Sequence, residues 1–131
     1  MNKRNKDNQG AVLYLRVASV DPQDQRDGIA EQRVVCTRQA ERLAAVVTDE
    51  YVDAGASGNR MNRPGLLGLL RRVAARPVKY VIVRDRTRLA RNAADHRAIQ
   101  RRLRRAGVTF VTVDNGAHSQ VTVDELLGGI R

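Results

Sequence analysis

A three-layer α/β domain, with a mostly parallel central sheet flanked by helices, is the architecture that this chain of 131 residues predicts. Apolar runs of strand length alternate along it with helix-length segments whose apolar residues recur every three or four positions. The run VKYVIV at 78–83 is apolar almost throughout, the pattern of a strand covered on both faces. The length suits one domain, large enough to bury roughly two thirds of the surface that the unfolded chain exposes.

Taken in order, residues 1–10 (MNKRNKDNQG) are polar and read as a disordered basic tail. A strand at 11–17 follows, with Val12 and Tyr14 alternating and β-branched Val17 at its end. The polar run SVDPQDQRDG at 19–28 breaks it. A helix is expected from about Gly28, with Ile29, Val35 or Cys36, and Leu43 on its apolar face. AAVVTDEYVD at 44–53 gives the second strand, and AGASGNRMNRPG at 54–65 a Gly-rich loop long enough to suggest a binding or active-site segment. Pro64 suits the first turn of the next helix, whose Leu66, Leu69, Leu70 and Val73 share a face before Pro77 stops it. After the third strand, Asn92 is placed to cap a helix over 93–106 that Gly107 terminates. That helix turns Ile99, Leu103 and Ala106 inward and Arg97, Arg101, Arg102, Arg104 and Arg105 largely outward. VTFVTVD at 108–114 is the last strand, and TVDELLGGIR at 122–131 opens a further helix of about two turns, weakened by Gly128 and Gly129 at about 1 kcal/mol each relative to Ala.

The net charge of +10 points to a polyanionic partner. Its distribution sharpens the point: residues 60–105 hold 15 basic side chains against two acidic ones, Asp85 and Asp95, which favours a phosphate-backbone footprint over a merely solvated surface. Aromatics make up 3% of the chain with no Trp, which argues against base stacking and so against a reader of single strands or RNA loops. The single cysteine, Cys36, excludes an intrachain disulfide and a cysteine zinc cluster, and reads as a packing residue. With no 18-residue apolar run and no signal-peptide pattern, no membrane is involved and the expected location is cytoplasmic. Walker A, GxGxxG, zinc-ligand spacing and clustered carboxylates are all missing from the sequence, so neither a metal nor a cofactor is expected.

In open parallel sheets functional groups gather at the carboxyl ends of strands. Arg16 and Ser19 follow the first strand, Asp53 and SGNRMNR the second, and Arg88 and Arg91 the third. Three-residue spacing sets Arg88 and Arg91 on one face if a helical turn begins there, and with Arg16 and Arg63 they would cage a phosphodiester. Asp53 fits either a catalytic role or a salt bridge that pins the loop, and Arg84 and Arg86 fit either solvated surface or further phosphate contacts. Ser57 and Gly58 serve turn geometry, and His96 and His118, lacking orienting partners, read as surface or cap residues.

YLRVAS with Gln32 downstream, EYVDAGASG followed by NRPGLLGLL, and VIVRDRTRLARN followed by GVTFVTVDNG stand in one order over residues 11–131. Together they resemble the catalytic domain of the serine recombinases, the resolvase and invertase family. The resemblance implies site-specific DNA recombination: a serine attacks a phosphodiester of double-stranded DNA and forms a 5′-phosphoserine link. Ends are exchanged within a tetramer and rejoined without metal or nucleotide cofactor. It also implies a bacterial, nucleoid-associated protein that is a dimer or tetramer at full length, with this chain truncated in the C-terminal dimerisation helix. By position, Arg16, Arg63, Arg88 and Arg91 match the arginines around the scissile phosphate, Asp53 the acidic residue of the second strand and Gln32 a site glutamine. Arg84, Arg86, Arg101, Arg104 and Arg105 become the candidate DNA contacts beyond them.

Two positions depart from the pattern. Thr87 stands where the family commonly has Asp, and Ala18 where it has the nucleophile. Either Ser19 takes over that role, which requires the strand to have ended or bulged, or the site is silenced. Ser19 as a plain loop or cap hydroxyl is the third possibility. Two other functions stay open: a catalytically silent recombinase-like DNA-binding or regulatory domain, and a basic α/β interaction domain without DNA chemistry.

Overall fold

The computed structural model describes residues 9–55 and 63–113. Most of the basic tail, Ser57, Gly58, Arg60, His118 and the helix expected at 122–131 lie outside the described residues.

Four parallel strands form one sheet in the order β2-β1-β3-β4: β1 Gly10–Val17, β2 Val46–Ala54, β3 Tyr80–Val83 and β4 Thr109–Thr112. Gly10 belongs to β1, so the tail ends earlier than its polarity implies. All eight residues of β1 are buried, because it lies inside the sheet with helices on both faces. Alternation splits its side chains between two cores. Val12 and Tyr14 pack with Leu66, Leu69, Val81, Ile99 and Leu103, while Ala11, Leu13 and Leu15 pack with Cys36, Ala40, Ile82 and Val111.

Four helices connect the strands: α1 Pro22–Arg42, α2 Pro64–Ala75, α3 Arg86–Leu89 and α4 Ala93–Arg105. α1 covers the face that carries Leu13 and Leu15, and α2 and α4 cover the other. The expected start of α1 near Gly28 is corrected by two turns of helix. Asp21 accepts a hydrogen bond from the Gln23 N–H at 2.9 Å and Pro22 fills the first turn, so the polar run is the solvated start of the helix. Gly28 is interior to α1, where a Cβ would stand 2.8 Å from Val17 Cγ2. Cys36 is fully buried, as expected of a packing residue, and burial pushes its thiol up to about 12.

α2 follows its sequence pattern closely, with Leu66, Leu69, Leu70 and Val73 buried. Asn92 caps α4 by accepting from the Asp95 N–H at 2.8 Å, and Gly107 ends the turn at φ +78°. His96 departs from expectation. It shares the inward face of α4 with Ile99 and Leu103, is 6% exposed, and meets the Phe110 ring edge-on at 5.4 Å. None of the described helices is long and apolar enough to cross a membrane.

The sheet order reverses between β1 and β3: the chain leaves β1 for one edge and returns to build β3 and β4 on the other side. A crevice at their carboxyl ends is the standard ligand position of such sheets.

The join of β2 to α2 tolerates little change. A Cβ on Gly65 would stand 2.6 Å from the Val52 carbonyl oxygen, whereas one on Gly68 would meet only the Tyr51 ring, at 3.1 Å. Gly65→Ala is expected to destabilise the fold by about 1–3 kcal/mol in urea denaturation, and Gly68→Ala by less, because a ring edge can shift and backbone cannot.

Candidate active site

At the carboxyl end of β1, Arg16 is held by its backbone and by its side chain. The Gln32 amide spans its main chain: Oε1 accepts from the Arg16 N–H at 3.1 Å and Nε2 donates to the Arg16 carbonyl at 2.9 Å. Gln32 thus pins α1 to β1 and holds the main chain of Arg16. The Arg16 guanidinium donates to the carbonyls of Arg88, at 3.0 Å, and Thr87, at 2.9 Å. Arg88 returns a bond from Nη1 to the Arg16 carbonyl at 3.2 Å.

Arg63 reaches the same turn from the start of α2. It is 1% exposed and donates to the Arg88 carbonyl at 3.1 Å, to the Leu89 carbonyl and to the Tyr14 hydroxyl. Two guanidinium groups therefore satisfy the carbonyls that end α3, where partial negative charge collects. The sequence places Arg63 in a phosphate cage; in the fold it forms the buried floor, with its charge close by and its Nε without a hydrogen-bond partner.

Asp53 sits opposite Arg16 in the β1–β2 register. Its carboxylate accepts from the Gly65 and Leu66 N–H groups at 2.8 and 2.9 Å and from the Tyr14 hydroxyl at 2.7 Å. It anchors the amino end of α2 and orients Tyr14. Tyr14 is the residue that sequence reasoning missed: its phenol bridges Asp53 and Arg63, and burial followed by that bond to Asp53 holds its pKa far above the ordinary value. The available signal was an aromatic residue two positions before Arg16, on the same face of the strand.

Arg88 and Arg91 do not share a helical turn. α3 stops at Leu89 and Ala90 is extended, yet Arg91 still lies near enough for its charge to act on Arg16. Arg88 Nε lies 3.4 Å from Asp85 Oδ2, and Asp85 also caps α3 through the Thr87 N–H and hydroxyl. Asp85 thereby places a carboxylate beside Arg88 although position 87 is Thr. Burial pulls the Arg16 guanidinium below its ordinary pKa, and the charges of Arg63, Arg88 and Arg91 act in the same direction.

β1 ends at Val17, so strand alternation does not dictate where Ser19 points. Its Oγ donates to Asp24 Oδ2 at 3.2 Å and accepts from the Asp21 N–H at 3.1 Å, while its carbonyl accepts from Gln25. Ala18 is exposed. Of the outlying candidates, Arg84 is engaged by Glu31 at 2.9 Å and Asp85 at 3.6 Å. Arg86, Arg101 and Arg104 line one side of α4, whereas Arg105 lies on its other flank beside Arg102.

Gln32→Leu keeps the side chain's bulk and removes both bonds to Arg16. Urea denaturation is expected to show a loss of about 1–3 kcal/mol, the cost of leaving the buried Arg16 N–H unsatisfied, while its carbonyl keeps the bond from Arg88 Nη1. An unchanged midpoint would show that the amide bridge does not hold the strand end.

The comparisons with known proteins agree with this fold. The family model "Resolvase, N terminal domain" matches residues 11–131. No curated protein matches. Among solved structures, the C-terminal catalytic domain of ISC1926 TnpA, an IS607-like serine recombinase, is 29% identical with a TM-score of 0.71, covering 86% of this chain and 75% of its own. The N-terminal catalytic domain of TP901-1 integrase is 25% identical at TM-score 0.74, covering 84% and 79%. A resolvase family site-specific recombinase from Streptococcus pneumoniae is 26% identical at TM-score 0.70, covering 82% and 73%. With the parallel sheet, the arginines at its switch point and a family match over nearly the whole sequence, the chain belongs to the resolvase family of serine recombinases, as a catalytic domain.

Proposed function

We propose that this domain cuts and rejoins duplex DNA in site-specific recombination, with Ser19 as nucleophile and the arginine cluster as its electrostatic partner. The observation that carries the reading is the buried Arg16 guanidinium, set at the switch point of the sheet with the charges of Arg63, Arg88 and Arg91 directed at it. Like charges crowded in a low-dielectric site are relieved by an anion, and a phosphodiester is the anion on which this family acts. In the step itself the serine Oγ–P bond forms as the P–O3′ bond breaks, and the 3′ oxygen leaves as an alkoxide that takes a proton from water to become the free hydroxyl. Resealing reverses both. Asp24 already accepts the Ser19 hydroxyl and is within reach of its proton. Excess negative charge on the phosphoryl oxygens is met by guanidinium groups, so the step calls for no metal. Exchange of ends requires further copies of the protein, held in a dimer or tetramer.

A second reading rests on the same hydroxyl. Because Ser19 Oγ is also taken up by the Asp21 N–H at the entry to α1, the chain is then a silenced recombinase that binds DNA or a partner recombinase without cutting.

A nicked suicide duplex, with the modified peptide read by mass spectrometry, separates the two. The first reading expects a covalent adduct on Ser19 that Ser19→Ala abolishes and EDTA leaves unchanged. The second expects none from the natural chain and one from Ala18→Ser. An adduct on any other serine would overturn both.

A further inference from the structure

The arginines of this chain divide into those with acidic partners and those without. Arg33, Arg72 and Arg84 pair with Glu50, Asp49 and Glu31 at 2.7–2.9 Å, each tying one element to another. Arg86, Arg97, Arg101 and Arg104 form no ion pair among the described residues, and all four line one cleft of about 320 Å³ beside α4. Asp95, the acidic residue on that helix, is engaged at its backbone and carboxylate by Asn92.

The wall of the cleft also holds a polar group in an unusual state. His96 is 94% buried by its 6% exposure, and its Nδ1 is engaged by Gln100 Nε2 at 3.1 Å. The other ring nitrogen, Nε2, is buried without a hydrogen-bond partner among the described residues. Burial, then the charge of Arg86, keeps the ring below its ordinary pKa and therefore neutral at pH 7. Four guanidinium groups around one cleft, with no carboxylate among the residues that line it, call for a ligand that brings negative charge.

We infer that this cleft binds the phosphate backbone of duplex DNA, at a site separate from the arginine cluster around Arg16. The inference rests on the proposed action on duplex DNA and adds a track for the strand. Arg97, Arg101 and Arg104 follow one face of α4, and at 1.5 Å per residue they span roughly 10 Å, the axial length of about three phosphates of one strand. Arg86 begins this row one residue before Thr87 and two before Arg88, whose carbonyls hold Arg16. The row thus starts beside the turn that holds Arg16, and a backbone gripped there would continue along α4. A regular line of charge on a rigid helix suits the repeat of a nucleic acid better than an acidic peptide.

The test exploits the two flanks of α4. R101Q/R104Q removes two charges from the cleft, and R102Q/R105Q removes the same two charges from the opposite flank, beside Val73 and Pro77. Binding of a random-sequence duplex is measured against salt for the full chain and both variants. R101Q/R104Q is expected to lower the slope of log affinity on log salt by about 1.8, so that a fourfold rise in salt costs it roughly twelvefold less affinity than the natural chain. R102Q/R105Q should leave the slope within about 0.5 of the original. Equal changes in the two variants would overturn the cleft and leave a diffuse field. Unchanged slopes, with polyglutamate binding lost in R101Q/R104Q alone, would overturn duplex DNA in favour of an acidic polypeptide. A natural chain that binds no duplex would sink the proposed function as well, whereas a covalent adduct with equal slopes would sink the cleft alone.

Discussion

Arg16 joins the two halves of the molecule. Its main chain is clasped by Gln32 from α1, and its side chain is spent on the carbonyls at the end of α3. Without those bonds, the carboxyl end of β1 would meet the β3 side only through the sheet ladder, whose last rung pairs Leu13 with Ile82, four residues before β1 ends. The guanidinium therefore extends the join past the last ladder rung. Arg63 repeats the device from α2, and Tyr14 and Asp53 link it to β2. The cationic site is consequently also the structural keystone of its end of the sheet. Substitutions there disturb charge and architecture together.

The acidic residues show a matching economy. Asp21, Asp53 and Asp85 each sit at the amino end of a helix, where a carboxylate both accepts backbone N–H groups and complements the dipole. Glu31, Asp49 and Glu50 tie helices or strands together by ion pairs. The two exposed pairs, Arg33–Glu50 and Arg84–Glu31, stabilise only slightly, whereas Arg72 of the third is buried. Their larger effect is on the field, because they cancel arginines on the α1 and β2 side and leave α4 uncompensated. The charge asymmetry of the molecule follows from where its carboxylates are placed.

The sequence made the elements legible to the extent that packing and capping acted locally. The Leu66, Leu69, Leu70 and Val73 stripe, the Asn92 cap and the apolar third strand were readable because periodicity and cap chemistry sufficed. The start of α1 was misread because SVDPQDQRDG has loop composition, whereas a cap, a proline and a solvated first turn produce the same composition. At the site, the converging elements could be read from strand-end logic, but what each side chain does there could not. Arg63 as a buried side chain, Gln32 as a main-chain clasp and His96 in the core depend on which neighbours arrive from residues 14 to 49 positions away. No local pattern encodes that.

The central position of β1 has a consequence for how the protein is made. β1 is the first strand of the sheet to be synthesised, yet one of its two lateral partners, β3, lies about 70 residues downstream, as the pairing of Ala11 with Tyr80 shows. At about 5–20 residues per second, a ribosome needs roughly 4–14 s to supply that partner. Until then the nascent chain carries an apolar strand with one open edge, and the face that α4 completes waits longer still, since α4 follows β3. The ordering that buries Arg16 so completely in the finished domain leaves apolar surface uncovered while the chain is still being made.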